Sequence, residues 1–346
     1  MNFKKAITTV TIVLISGLII YGLILVNQIF SSNTKFEEAE MYVYIPTDSD
    51  YESVKKIVAP YVDDIERFDA VAYKKKYPNN VKPGKFLFKK GMNSNELINA
   101  LRINTEVKLS FNNQERLEDF AGRIGSEIEA DSLSLLTVFK DATFLAENGF
   151  NEDNVLTMFI PNTYELYWNT TAVKFRDKMI KEYRNFWSDE RIAKAKAQGL
   201  TPIEATILAS IVHKESVKKD ERPRIAGVYL NRLHRGILLQ ADPTVIFAVK
   251  KKSNDFKQVI KRVLNKDLQV ASPYNTYYSA GLPPGPIAMP DISAIEAVLN
   301  PEKHNFIYFC ASVTRFGYHD FAVTQAEHEQ NAKKYYNWIN SQGVKR

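Results

Sequence analysis

Thr201-Pro202-Ile203-Glu204-Ala205-Thr206-Ile207-Leu208-Ala209-Ser210-Ile211-Val212-His213-Lys214-Glu215 is the stretch on which the reading turns. Thr201 as N-cap, Pro202 at the first helical position and Glu204 closing a capping box predict a helix start. At about 100° per residue, Ile207, Leu208, Ile211 and Val212 share one apolar face. Glu215 falls on that face, whereas His213 points away. Glu204 shares the face too, and its capping role accounts for it. A carboxylate on a core-facing stripe is costly unless it is paired or has a task. Desolvation would raise its pKa, which is what a general acid near neutral pH needs. The structural alternative is a buried ion pair, with Lys218 or Arg232 as partner.

Downstream, a helix is expected from about Pro223 to Arg235, closed by Gly236. Ile225, Val228, Tyr229 and Leu233 form its apolar side. Arg232 lies on that side as well and calls for an anion partner, with a substrate role as the second reading. In Gln240-Ala241-Asp242-Pro243-Thr244, Asp242 can cap a helix started by Pro243. Gln240 has no such structural reason. Two further stretches follow, Ser272-Pro273-Tyr274-Asn275-Thr276-Tyr277-Tyr278 and Gly281-Leu282-Pro283-Pro284-Gly285-Pro286-Ile287-Ala288-Met289-Pro290. Their prolines fix much of the backbone and favour an extended path. A stiff loop bearing Tyr274, Asn275, Thr276 and Tyr277 is a surface that sugars bind, with aromatic faces for ring C–H groups and amides and hydroxyls for ring hydroxyls. The plain alternative is an extended loop packed against the core. Ser293 and Glu296 predict a capping box and Phe306 to Ser312 a strand. A hairpin leads to His319-Asp320-Phe321-Ala322-Val323-Thr324. Thr324 and Glu327 start a last helix with His328 in its first turn.

Upstream, Glu106 to Phe111 is a strand candidate and Gln114 to Ile128 a helix. Phe159 to Tyr164 is an aromatic-rich turn, and Thr171 to Gln198 a charged, solvated helical arm. Residues 41–104 form a small module of strand (Met41 to Pro46), helix (Asp50 to Val58), strand (after Pro83-Gly84) and helix (Asn93 to Leu101). Residues 27–40 are a polar linker. Residues 6–26 carry no charge and suit a transmembrane helix, since about 20 apolar residues cross a bilayer. Lys4 and Lys5 then place residues 1–5 in the cytoplasm and the rest outside. A cleaved signal peptide is the rival reading, but its apolar region is usually about 7–15 residues and ends in a small-residue site. Neither feature is present here.

Composition sets outer bounds. The 346 residues are 45% hydrophobic and 25% charged, with a formal net charge of +6. That is a globular balance with room for two or three domains. The basic excess is spread along the chain and no nucleic-acid motif occurs, so a nucleic-acid partner is not expected. The single cysteine, Cys310, excludes an intrachain disulfide and a Cys-rich zinc site, and its apolar surroundings predict a core position. A metal site from His213, His319 and His328 lacks ligand spacing.

Several blocks together carry a resemblance: Leu208-Ala209-Ser210-Ile211-Val212 with Lys214-Glu215, Asn231-Arg232-Leu233, Leu239-Gln240-Ala241-Asp242-Pro243-Thr244, Tyr274-Asn275-Thr276-Tyr277, and Gly281-Leu282-Pro283-Pro284-Gly285-Pro286-Ile287. In this order they resemble the endolytic murein transglycosylase (YceG-like) family. The anchor and small module match the family layout, so the resemblance covers nearly the whole chain. One departure is the family's Glu-Lys-Glu, which here reads His213-Lys214-Glu215. The family's catalytic glutamate is the second of the pair and carries over onto Glu215.

The resemblance implies an α+β protein with an N-terminal transmembrane helix, a small LysM-like α/β module and a larger mixed α+β transglycosylase domain over 105–346. The catalytic core would lie at about 201–340. It implies a carbon–oxygen lyase on peptidoglycan glycan strands. Glu215 protonates the oxygen between N-acetylmuramic acid and N-acetylglucosamine. The muramic acid's own 6-hydroxyl attacks C1 and leaves a 1,6-anhydro end. No metal or cofactor is required. Gln240, Tyr274, Asn275, Thr276 and Tyr277 are expected to line the glycan groove, and Arg232 and Asp242 to orient it. Glycan strands, the membrane and peptidoglycan synthases are the implied partners, with strand trimming or termination during wall synthesis as the role. The LysM-like module either binds N-acetylglucosamine polymers or spaces the enzyme from the membrane. A muramidase-type hydrolase, which needs a second acid such as Asp242, and a non-catalytic peptidoglycan-binding scaffold are the alternatives.

Overall fold

The computed structural model describes residues 3–341. The side chains of Lys4 and Lys5, on which the orientation argument rests, lie outside the described set. The first helix, α1, runs Phe3–Phe30. Within it, Ile7–Ile24 has a mean hydropathy of 2.3 and is, among the described residues, the one helix long and apolar enough to cross a membrane. The chain is a mixed α+β protein that divides into two compact units. One comprises Met1–Leu109, Glu127–Ala130 and Glu165–Thr171; the other comprises Ser110–Ser126, Asp131–Tyr164 and Ala172–Arg346.

In the first unit, β1 (Glu40–Ile45) is followed by α2 (Tyr51–Val58), α3 (Ile65–Lys74), β2 (Gly84–Lys89), α4 (Ser94–Ala100) and β3 (Glu106–Ser110). Each short helix starts on a side-chain cap: Asp50 for α2, Asp64 for α3, and an Asn93–Glu96 capping box for α4. Strands β1 and β2 pair antiparallel, from Glu40 opposite Lys89 to Ile45 opposite Gly84. Their alternation buries Val43, Ile45, Phe86 and Phe88 with residues of all three helices, and leaves Tyr42 and Tyr44 exposed on the other face. Helix α3 has no counterpart in the sequence reading; it buries Phe68, Val71 and Ala72 in the same core.

Most of β4 (Thr163–Tyr167) belongs to the first unit as well, where it pairs with β3. The second unit begins with α5 (Leu117–Gly125), α6 (Ser132–Phe139) and α7 (Ala142–Glu147). The expected solvated arm is two packed helices, α8 (Ala172–Phe186) and α9 (Asp189–Ala197), separated at Trp187 and Ser188. Phe175 of α8 is fully buried against Phe120 and Phe139, and Trp187 is buried as well. Charges along the outer side of α8 hid this apolar stripe. Helix α10 (Pro202–Glu215) packs against α9, α11 (Arg222–His234), α12 (Asp242–Ser253) and α14 (Ile292–Leu299), with the short α13 (Asn265–Leu268) between the last two in sequence. The chain ends in the antiparallel hairpin β5 (Tyr308–Ala311) and β6 (His319–Ala322), covered by α15 (Gln325–Ser341).

Two cap assignments differ from the expectation. Asp291, not Ser293, caps α14 by accepting from Ala294 N, and Glu296 pairs instead with Arg191 at 2.8 Å. The α12 N-cap is Ala241, which makes no side-chain cap bond, so Asp242 is the first residue of the helix and not its cap. The proline-rich loop is tied to α10 by Ile287 N–H, which donates to Ser210 Oγ at 3.1 Å. Gly285 in that loop is obligatory: a Cβ there would lie 1.8 Å from the Asp153 carbonyl oxygen.

Candidate active site

Helix α10 carries the site. The Thr201–Glu204 capping box forms as the sequence predicts. The helix is more central than an amphipathic stripe implies, because every residue from Ala205 to Val212 is buried. Glu215 is its last residue. The negative end of the helix dipole and the loss of water both disfavour a charge there. Burial pushes the Glu215 carboxyl up to about 7, helped by the charge of Asp242 and opposed by Tyr229 and His319.

Tyr229, on α11 and 1% exposed, donates its hydroxyl to Glu215 Oε1 at 2.5 Å. No ion pair to Glu215 is present among the described residues, so the Lys218 and Arg232 alternative does not hold. Lys214, the neighbour, turns the other way and pairs with Glu115 at 3.0 Å.

Glu215 opens into a cavity of about 530 Å3. One wall is Tyr229, Arg232, Gln240, Asp242 and Tyr277; the other comes from β5, β6 and α15, including Tyr308, Phe309, His319 and His328. Asp242 accepts from the Tyr277 hydroxyl at 2.8 Å. The Gln240 backbone is left-handed, with φ +51, and its N–H donates to the Thr276 carbonyl at 3.1 Å. A non-glycine residue held there is strained, and Gln240 is exposed beside the cavity. The enclosure suits a polymer segment: one desolvated acid, a second carboxylate, amides, hydroxyls and aromatic rings.

The YceG-like family model matches residues 43–334. The chain belongs to the YceG-like family. It is 27% identical over 341 residues to the endolytic murein transglycosylase of Bacillus subtilis (strain 168), covering 93% of this chain and 91% of that protein. It is 33% identical over 181 residues to the endolytic murein transglycosylase of Streptococcus pneumoniae serotype 2 (strain D39), a match covering 51% of this chain and 31% of that protein. A crystal structure of a YceG-like protein from Listeria monocytogenes superposes with a TM-score of 0.57 at 25% identity, covering 85% of this chain and 99% of that one.

Within this YceG-like chain the cavity gathers Glu215, Arg232, Gln240, Asp242 and Tyr277. It does not gather Tyr274, Asn275 or Thr276. Asn275 is fully buried, and its amide donates to the carbonyls of Leu268 and Val270 at 2.9 Å. Thr276 is buried between Thr244 Oγ1 (2.8 Å) and Ala241 N (3.0 Å). The Tyr274 hydroxyl goes to Asp153 at 3.0 Å, at a different cavity. These three hold the loop and α12 in place, because an extended proline-rich segment has no ladder of its own to satisfy its backbone.

Arg232 is also a correction. It has no anion partner among the described residues; its donors go to the carbonyls of Ile307, Leu238 and Leu239 and to Gln240 Oε1. It pins the turn before α12 to the start of β5.

Sequence reading missed Tyr229, which passed as an apolar-face residue, and the entire β5–β6–α15 wall. It also placed Cys310 in the core, whereas Cys310 is half-buried and lines the cavity. His319 and His328 line the cavity, while His213 is held elsewhere by Asp291 (3.3 Å) and Arg222 (3.3 Å). Among the described residues no group of three or more His, Cys, Asp or Glu side chains is placed to hold a metal.

Proposed function

We propose that this protein is an endolytic peptidoglycan lytic transglycosylase with Glu215 as its acid. One observation carries the reading: a desolvated carboxyl, pushed up to about 7, at the end of a buried helix in a cavity of about 530 Å3. Such a group keeps about half of its population protonated at neutral pH and can donate to a glycosidic oxygen. The names of the relatives from Bacillus subtilis and Streptococcus pneumoniae support the same reading.

The bond cleaved is the β-1,4 link from N-acetylmuramic acid to N-acetylglucosamine. Glu215 protonates the leaving oxygen, and the muramic acid 6-hydroxyl closes on C1 to give a 1,6-anhydro end. Tyr229 orients the carboxyl, and Gln240, Asp242 and Tyr277 contact the strand. The reaction calls for no cofactor. Helix α1 anchors the chain in the cytoplasmic membrane with the catalytic unit outside, where it trims or ends nascent strands beside the synthases. The first unit serves as a LysM-like module, with Tyr42 under the Lys85 ammonium and Tyr44 against Trp168 on its exposed strand face.

The test is mass spectrometry of glycan strands digested by the full-length chain in detergent, beside Glu215→Gln. Anhydro ends from the first and none from the second are the expected result. Hydrated ends would instead assign a hydrolase, a reading favoured by one observation: Asp242 is a second carboxylate in the cavity and is not consumed as a helix cap.

A further inference from the structure

The cavity wall opposite Glu215 contains a paired imidazole that the reaction above does not use. Glu221, 5% exposed, immediately precedes α11. Its Oε1 accepts the His319 backbone N–H at 2.7 Å, and its Oε2 lies 2.9 Å from His319 Nδ1. Ser216, the residue after Glu215, donates to the same Oε2 at 3.3 Å. Burial alone would raise the Glu221 carboxyl; the bonds from His319 and Ser216 hold it below the ordinary range. An ionised Glu221 fixes the Nδ1–H tautomer and leaves Nε2 as the ring's acceptor.

Three further facts separate this pair from a plain structural tie. His319 lines the same cavity as Glu215, and its Nε2 has no hydrogen-bond partner among the described residues. The Phe309 ring meets the His319 ring edge-on at 5.0 Å and the Tyr229 ring edge-on at 5.8 Å. One aromatic side chain thus braces both the imidazole and the tyrosine that holds Glu215. The other titratable groups on this cavity are Asp242, engaged with Tyr277, Arg232, engaged with carbonyls, Cys310, His328 and the tyrosines of β5 and α15.

We propose that His319, oriented by Glu221, is the general base that takes the proton from the attacking sugar hydroxyl. The inference rests on the transglycosylase reading and divides its proton transfers between two residues. The O6–C1 bond forms as the C1–O4 glycosidic bond breaks. The Glu215 proton passes to the leaving oxygen, and the O6 proton passes to His319 Nε2. The products leave with Glu215 as carboxylate and His319 as imidazolium. Return of one proton from the ring to the carboxylate, directly or through water, resets the site.

The test uses the full-length chain in detergent with purified glycan strands. It compares wild type with Glu215→Gln, His319→Gln, His319→Ala and Glu221→Gln, reading kcat and KM across pH together with thermal melting. Loss of a general base is expected to cost about 10²–10⁴-fold in kcat. His319→Gln should show that loss with KM little changed, and should lose the acid-side limb of the rate profile while its residual product keeps anhydro ends. Glu221→Gln should lie between it and wild type. Added imidazole should restore turnover to His319→Ala, which also decides the matter should His319→Gln melt early. A folded His319→Gln with near-normal kcat, a retained acid-side limb, or a folded His319→Ala that imidazole does not rescue would overturn the proposal while leaving Glu215's role intact. Absence of cleavage by wild type, or full cleavage by Glu215→Gln, would instead overturn the transglycosylase reading and this inference with it.

Discussion

Tyr229 Oη donates to Glu215 Oε1 across 2.5 Å, linking the middle of α11 to the last residue of α10. A hydroxyl that donates to a carboxylate favours its ionised form, so this bond works against the burial that raises Glu215. Tyr229→Phe should therefore move the alkaline limb of the rate profile upward. A hydrogen bond to a charged group is worth about 1.5–3 kcal/mol, so a shift of about one pH unit is expected. kcat should fall as the carboxyl loses its fixed orientation. A limb that stays in place would assign that limb to a different group.

Asp242→Asn acts in the opposite direction. The charge of Asp242 helps to raise the Glu215 carboxyl, so its removal should lower the alkaline limb. The product ends distinguish the two chemistries. Continued anhydro ends with reduced turnover fit a strand-contacting role, whereas hydrated wild-type ends lost in Asp242→Asn would mark Asp242 as the base of a hydrolase.

Glu215 also ties stability to pH. Its carboxyl is raised from 4.5 to about 7 on folding, so the folded state holds the proton more tightly. The contribution is fully present below about pH 4.5 and is lost as pH rises through about 7. Glu215→Gln should gain stability over wild type at pH 8 and match it near pH 4.5. The ceiling on the gain is about 3 kcal/mol. Urea midpoints at the two pH values measure it, and an equal difference at both would show that the carboxyl is not shifted.

Asn275 and Gln240 should separate stability from turnover. Asn275→Ala removes the donor of two part-buried bonds to the Leu268 and Val270 carbonyls, each worth about 0.5–1.5 kcal/mol. Its melting temperature should fall while KM at a permissive temperature holds. Gln240→Ala, at an exposed position on the cavity, should change kcat or KM and leave melting nearly unmoved. The reverse pattern would return Asn275 to the glycan groove.

Two glycines provide a matched pair. Gly285→Ala would place a methyl 1.8 Å from the Asp153 carbonyl oxygen, forcing the loop from its seat and lowering melting by many degrees. Gly122 in α5 has nothing within 4 Å of its added Cβ, so Gly122→Ala should stabilise by about 0.5–1 kcal/mol through helix propensity. Parallel melts of the two variants check both statements.

Capping residues were the most legible part of the fold, because caps are local. Thr201 and Glu204 announced α10, Asn93 and Glu96 flank the start of α4, and Thr324 with Glu327 opened α15. Local rules also misled where one residue had two possible partners. Asp242 stands before a proline in a pattern that suits a cap, yet its carboxylate goes to Tyr277, thirty-five residues on in sequence. Arg232 suggested an anion, yet three carbonyls from two segments, Leu238 and Leu239 before α12 and Ile307 before β5, satisfied it.

The sequence by itself determined the apolar N-terminal helix, the start of α10 and the place of Glu215 at the end of its apolar face, since these depend on residue type and spacing along one helix. Tertiary structure alone decided what surrounds that carboxyl. The tyrosine that bonds it comes from α11, the second carboxylate from the start of α12, and the His319–Glu221 pair from the joining of β6 to the N-terminus of α11. Periodicity reports which face of an element is apolar, but not which distant element will cover it. For that reason Asn275, Thr276 and Tyr274 read as sugar contacts, whereas their polar atoms go to the Leu268 carbonyl, to Thr244 of α12 and to Asp153.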